Sequence, residues 1–266
     1  MTRRHAACAF AAVMAFAAPS WASAADLTSK QMTERLYKAS DTAPLDFSGK
    51  NLEGLDLAGL EFKKARLSST NLFGADLSGA DLSGTDLMGA RLDRVNIIGS
   101  RFDGARLAGV SLLRPTTSSN IDGFKPGEAP SFAATDLSGA KLFGRFSGGN
   151  FAGANLSGAS LAPFSATGFI EVLWHSELVS ANLSDANLSK SDLTYVSFRF
   201  ANLRGANLSG AILKNADLSH ADLTGADLSN ADVSQADLDG AILTGAKGLA
   251  TVAGLDDARK RGKVID

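Results

Sequence analysis

Three histidines, a single cysteine and a run of evenly spaced aspartates are the side chains of this 266-residue chain that invite a chemical reading. His175 stands between Glu171 and Glu177 in an aromatic-rich stretch, the place to look for chemistry. A nucleophile, its base and an orienting group must lie within hydrogen-bond reach of one another. No recognisable motif surrounds His175 or His220, so no catalytic residue is assigned. Asp217, Asp222, Asp227, Asp232 and Asp237 recur every five residues. Carboxylates can capture calcium only where they converge on one ion, and whether they converge depends on the path of the chain between them.

That path follows from the stretch Ala211 to Leu243, AILKNADLSHADLTGADLSNADVSQADLDGAIL, which has alanine every five residues and an aliphatic residue two places after each. On an α-helix, at about 100° per residue, successive leucines would be about 140° apart, and no apolar face could form. In a strand an odd period sends successive leucines to opposite faces. One corner in every repeat cures both failures, because each short extended segment can then point its alanine and leucine toward a common axis. The other three positions, rich in Asp, Asn, Ser, Thr and Gly, face water or make the turn. His220 occupies a turn slot and is read as a solvated turn residue.

These residues resemble the pentapeptide repeat proteins, whose motif is close to A-[DN]-L-x-x; fourteen such repeats run in register from Leu178 to Leu243. The resemblance implies an all-β fold: a right-handed quadrilateral parallel β-helix, four repeats to a coil, closed by short helical caps. Residues five apart then lie on adjacent faces, so the aspartates cannot converge on one calcium ion, and no metal or cofactor is expected.

Residues 1–24 read as a secretory signal, with Arg3 and Arg4 ahead of an apolar run from Ala6 to Ala18 and a small-residue site, Ala22-Ser23-Ala24, before Ala25. The apolar run is too short to span a bilayer. Cleavage there removes Cys8 and His5, which excludes disulfides and Cys/His metal sites, and leaves no segment for membrane insertion. It also removes two of 26 basic residues, leaving 24 against 28 acidic ones, a formal charge of minus four. No nucleic-acid partner is suggested by that balance.

Residues 25–44 are expected to form an N-terminal helical cap with Leu27, Met32 and Leu36 on or near one side, covering the raw end of the coil. The repeats occupy 45–247. The first fourteen inward positions run from Phe47 to Leu112. Residues 114–130, rich in Pro, Gly, Ser and Thr, should be a loop thrown out from the stack. Between Leu142 and Phe146 the spacing drops to four, so a bulge or tightened corner is expected. A second insertion, 162–176, holds Phe164, Phe169, Ile170, Trp174 and His175, the candidate partner-binding residues, since exposed aromatic clusters mark partner surfaces. The alternative is that this loop folds back onto the coil. Residues 248–266 form a C-terminal cap, with a short basic helix over 255–263.

Family members that bind DNA gyrase are thought to imitate DNA with a negatively charged rod, so the acidic columns need a geometric test. Residues twenty apart share a face, which places Asp217 with Asp237, Asp222 with Asn202, Asp227 with Asn207 and Asp232 with Ile212. In the first run Asp81 falls beside Arg101, and Asp86 between Arg66 and Arg106, which breaks any negative column. Charge and compartment both count against DNA mimicry. The sequence therefore predicts a non-enzymatic, exported, periplasmic scaffold or protein-interaction module, monomeric or dimeric, with an unidentified protein partner. The alternative is an accessory factor for one envelope enzyme system, anchored by the 162–176 insertion. Fractionation of cells expressing the full chain, with intact mass of the product, should give a periplasmic species beginning at Ala25. An uncleaved cytoplasmic product would refute export and reopen the DNA-mimic reading.

Overall fold

The computed structural model describes residues 24–40, 42–120, 125, 127–163 and 175–258. Its logic is visible in one repeat, Asp76 to Ala80, in which all five backbone N–H groups are satisfied. The Asp76 N–H donates back to Leu55 O (2.9 Å), while those of Leu77 and Gly79 donate forward to Asn96 O (2.8 Å) and Ile98 O (2.7 Å). The Ala80 N–H closes the turn onto Leu77 O at 2.9 Å. That leaves Ser78, whose N–H donates to the Asp76 side-chain Oδ1 at 2.9 Å. Buried or half-buried N–H groups without partners are costly, so the carboxylate at this slot completes the turn. Asn serves equally, as where Asn182 Oδ1 accepts from Ser184 N at 3.2 Å.

The slot just before the alanine takes φ > 0, as at Gly79 with φ 65°, which is why glycine dominates it. The leucine slot and the small residue two places before it point inward and are buried in most repeats, the second of these only from Ala65 onward. Where Thr or Ser replaces the small inward residue, its hydroxyl finds a carbonyl: Thr85 donates to Leu82 O (2.7 Å) and Ser191 to Leu188 O (2.6 Å).

Each repeat contributes one rung to a parallel ladder, and the ladders define four faces. Face I runs from Asp46 through Arg66, Asp86, Arg106 and Asp136 to Lys247; face II from Asn51 through Arg91 and Ser111 to Ala253. Face III holds Asp56, Asp76, Asn96 and Thr116, then Arg145, Glu177, Ser197, Asp217 and Asp237. Face IV runs from Glu61 through Asp81 and Arg101 to Ile242. Coils are numbered by their face I rungs, so the first begins at Asp46 and the fifth at Asp136.

Ladder partners are ordinarily twenty residues apart, and the exceptions locate the irregularities. Arg101 pairs with Ser131, thirty residues on, so the first insertion adds ten residues. Asn150 pairs with Asn182, thirty-two on, so the second adds twelve; Ser131 pairs with Asn150, nineteen on, where the sequence spacing drops by one. The ladder reaches further into 114–130 than the composition of that stretch suggests: Thr116 still pairs with Asn96, and Thr117 fills an inward slot with its Oγ1 donating to Arg145 O at 2.6 Å. A threonine replaced the leucine there, so the stretch lost its apolar signature before its geometry. Inside these coils Phe132 stacks between Phe102 and Phe151, with centroids 4.9 Å away on both sides, and Phe146 meets Phe132 and Phe151 edge-on.

Helix α1, Ser29–Lys38, begins with a capping box between Thr28 and Gln31 and buries Leu27, Met32 and Leu36 against the first coil. It also stands in for a missing coil. In the first coil the Asn51 N–H donates to Asp26 Oδ2 (2.8 Å) and the Asp56 N–H to Ser29 Oγ (3.1 Å), where later coils use a preceding carbonyl. At the far end a 3₁₀ turn, Leu249–Thr251, follows Gly248, and Ala253 adds a last rung beside Asp232. The helix expected over 255–263 does not begin in its described part, where 255–258 form a bend and turn. The ladder holds Ala253 extended, and Gly254, at φ 72°, has Ser234 Cα 2.5 Å from where a Cβ would sit.

If the side-chain acceptor completes the turn, Asp76→Ala should destabilise the protein by about 1 kcal/mol, and Asp76→Asn by much less. Leu77→Ala should cost about 2–5 kcal/mol through the cavity it opens. Urea unfolding checks both, and equal losses for the Asn and Ala variants would refute the role given to the acceptor.

Candidate interaction face

Both insertions border face III. The first departs after Thr117 toward Ser131 of face IV; the second spans Ser160 of face II and Glu177 of face III, two coils further on. Between them Thr116, Arg145 and Glu177 occupy successive rungs of face III, and Arg145 Nε donates to Glu177 Oε2 at 3.0 Å.

The edge between faces II and III is reshaped here. Strands β1, Ser111–Leu113, and β2, Lys141–Phe143, pair in parallel through three residues where other coils pair through one. The missing residue of the fifth coil is the cause: Phe143, in what would be a turn slot, is turned inward and only 6% exposed. Gly144 follows, and a Cβ on it would lie 2.9 Å from Pro115 Cδ, so glycine lets the proline ring close on this corner. The result is a cleft of about 360 Å³ lined by Arg114, Pro115, Phe143, Gly144, Arg145, His175 and Glu177.

The foot of the first insertion is gathered around one carboxylate. Glu128 accepts from Ser119 N (2.8 Å), Ser119 Oγ (2.7 Å), Ser118 Oγ (3.0 Å) and Lys125 Nζ (3.3 Å). The Ser119 hydroxyl and amide, ahead of Ser118 and Lys125, hold its pKa down to about 2 from an ordinary 4.5.

Of the candidate partner-binding residues, His175 lies half-buried in the cleft wall. Phe164, Phe169, Ile170 and Trp174 lie outside the described residues. Sequence reasoning passed over Tyr195, Phe200 and Ile212, which are exposed on the seventh and eighth coils. The first two fill turn slots at φ 62° and 57°, where a bulky side chain is unfavourable. Their register was a readable signal. His220 is an exposed turn residue, but its ring stacks on Phe200 with centroids 5.1 Å apart.

The charge columns are interrupted in the way twenty-residue spacing implies. Arg66 pairs with Asp46 at 3.1 Å and Arg106 with Asp86 at 3.2 Å on face I, and Asp81 adjoins Arg101 on face IV. Near the C-terminal end Arg204 reaches Asp222 and Lys214 reaches Asp232, both at 3.1 Å. Among the described residues no group of His, Cys, Asp and Glu could hold a metal ion, and no helix is long and apolar enough to cross a membrane.

With the four-faced ladder in view, the family follows. A family model described as Pentapeptide repeats matches in eight copies, over residues 70–109, 181–219 and 206–245. The chain is a pentapeptide repeat protein, and its coil is the right-handed β-helix of that family. Among solved structures it is similar to HetL, a pentapeptide repeat protein involved in heterocyst differentiation regulation from the cyanobacterium Nostoc sp. strain PCC 7120. The identity is 24% over 85% of this chain and 94% of that one, with a TM-score of 0.42. It is similar to QnrB1, a plasmid-mediated fluoroquinolone resistance protein, at 22% identity over 79% and 90% of the two chains, TM-score 0.41. A pentapeptide repeat protein from the Arabidopsis thaliana thylakoid lumen is 26% identical over 48% of this chain and 72% of that one, TM-score 0.26. No curated protein matches this chain.

The depressed Glu128 pKa gives a pH prediction. Its hydrogen bonds favour the folded loop foot fully above about pH 4.5, and the advantage fades as pH falls through about 2. The Ser118 and Ser119 amide signals should therefore hold steady down to about pH 3 and shift with a midpoint near 2, and Glu128→Gln should abolish that transition. A midpoint at the ordinary carboxylate value would contradict the arrangement.

Proposed function

We propose that this chain is a non-enzymatic scaffold that docks one dedicated protein partner on face III, working in the periplasm after export. The observation that carries the proposal is that both insertions begin or end on face III, the second beside a cleft, in a coil whose other corners are occupied mainly by small turn residues. Specificity needs irregular features held on a rigid support. Ten and twelve extra residues, returned to register within one coil, provide that without disturbing the ladder. One composite surface favours a single partner, as an accessory factor for one envelope system would require. Export is supported by the charged, apolar and small-residue sections of residues 1–24.

Mimicry of nucleic acid is the weaker reading, since arginines interleave with the acidic rungs on faces I and IV. Photocrosslinkers placed at Thr116 and Asp217 on face III, and at Ser157 at the edge between faces I and II, test the proposal in intact cells. A single adduct from the face III positions and none from Ser157 is the expected result. Equal adducts from all three positions, or none from any, would defeat it.

A further inference from the structure

The edge between faces II and III carries a local charge opposite to that of the whole molecule. On the third to sixth coils, Arg91, Arg94, Arg114, Lys141 and Arg145 gather there against Asp93 and Glu177. Among the described residues of this edge, five positive charges face two negative ones, in a chain of formal charge −2. Arg91 and Arg94 lie over the Phe73 ring, their guanidinium carbons 4.3 and 5.6 Å from its centroid, which holds both cations on the edge. Asp93 is engaged by Arg91 at 2.9 Å and Glu177 by Arg145 at 3.0 Å, so both local anions are already partnered. Set into this cationic strip is the cleft, with Phe143 and Pro115 as its apolar wall.

The strip is short. Three steps between coils at about 4.8 Å make it about 14 Å long. Beyond one end face III carries Asp56 and Asp76, and beyond the other Asp217 and Asp237. A long polyanion such as a nucleic acid would run onto these carboxylates and be repelled, whereas a short anionic segment would not.

We infer that this edge is a binding site for a short acidic peptide segment of the partner protein. Its carboxylates would meet Arg94, Arg114 and Lys141, and an apolar side chain would enter the cleft against Phe143 and Pro115. Arginine suits this task because its planar fork matches a carboxylate. The inference rests on the reading of face III as a docking surface and adds the chemistry of what docks.

The test is selection from a library of random peptides about six residues long, which at about 3.3 Å per residue cover the strip with a residue to spare at each end. Selected peptides should carry two or more Asp or Glu beside a Leu or Phe. They should bind the double variant Arg94→Glu/Arg114→Glu about tenfold or more weakly, as expected when oppositely charged partners are made alike. Lys190→Glu, at the edge between faces I and II, should bind as the parent does, and circular dichroism should report an unchanged fold for both. Selected peptides without acidic residues, equal binding by the double variant, or no selection at all would overturn the inference. So would displacement of the peptide, through the same arginines, by a single-stranded oligonucleotide or by phosphatidylglycerol vesicles at lower concentration. Face III crosslinks that persist in the double variant would leave docking intact and remove only the acidic recognition. Their absence in the parent would remove docking itself.

Discussion

The structure depends on the acceptance of one backbone N–H by one side chain. A chain that turns every five residues leaves an amide at each corner pointing along neither neighbouring coil. In the repeat Asp76 to Ala80 that amide belongs to Ser78, and the Asp76 carboxylate takes it at 2.9 Å. The same local bond recurs at Asn182 and Asp237. Once it is made, the remaining amides have fixed destinations: one back, two forward and one across the turn. The leucine and alanine are left with only one place to go, which is inward. The fold is thus a local solution repeated, and its core is a consequence of its corners.

A coil built this way tolerates insertion at corners and nowhere else. The leucine slots meet their counterparts in the coils above and below, so an extra residue there would break stacks such as Phe102, Phe132 and Phe151. A corner meets water. Both long insertions leave and return at corners, and the ladder resumes in register after each. The single deletion behaves differently: with one residue fewer, the fifth coil draws Phe143 inward and leaves Gly144 beneath Pro115. The cleft lies where that shortened coil meets neighbours that carry the insertions.

Charge shows how a repeat converts sequence order into surface pattern. The composition is mildly acidic, which points away from anionic partners. Yet the coil wraps residues as distant as Arg91 and Arg145 onto one edge and carries the aspartates of 217–237 to successive faces. The whole-chain balance is an average over four faces, and binding responds to one.

Much of this protein was legible in its residues. The period of five determined the inward positions and the turn slots, because each is a local requirement that recurs, and the resemblance carried by those repeats implied the four-faced coil and with it the twenty-residue alignment of charges. The place of the irregular residues relative to one another was not legible in the same way. Thr117 lacks the apolar signature of its inward slot. Tyr195 and Phe200 could have been flagged from the turn slots they occupy. The tertiary structure alone decided that both insertions border face III and that five cations share one edge. The physical reason is that insertions and deletions reset the count, and the face a later residue occupies depends on how many residues the loop removed from the ladder, which only hydrogen bonding between coils fixes.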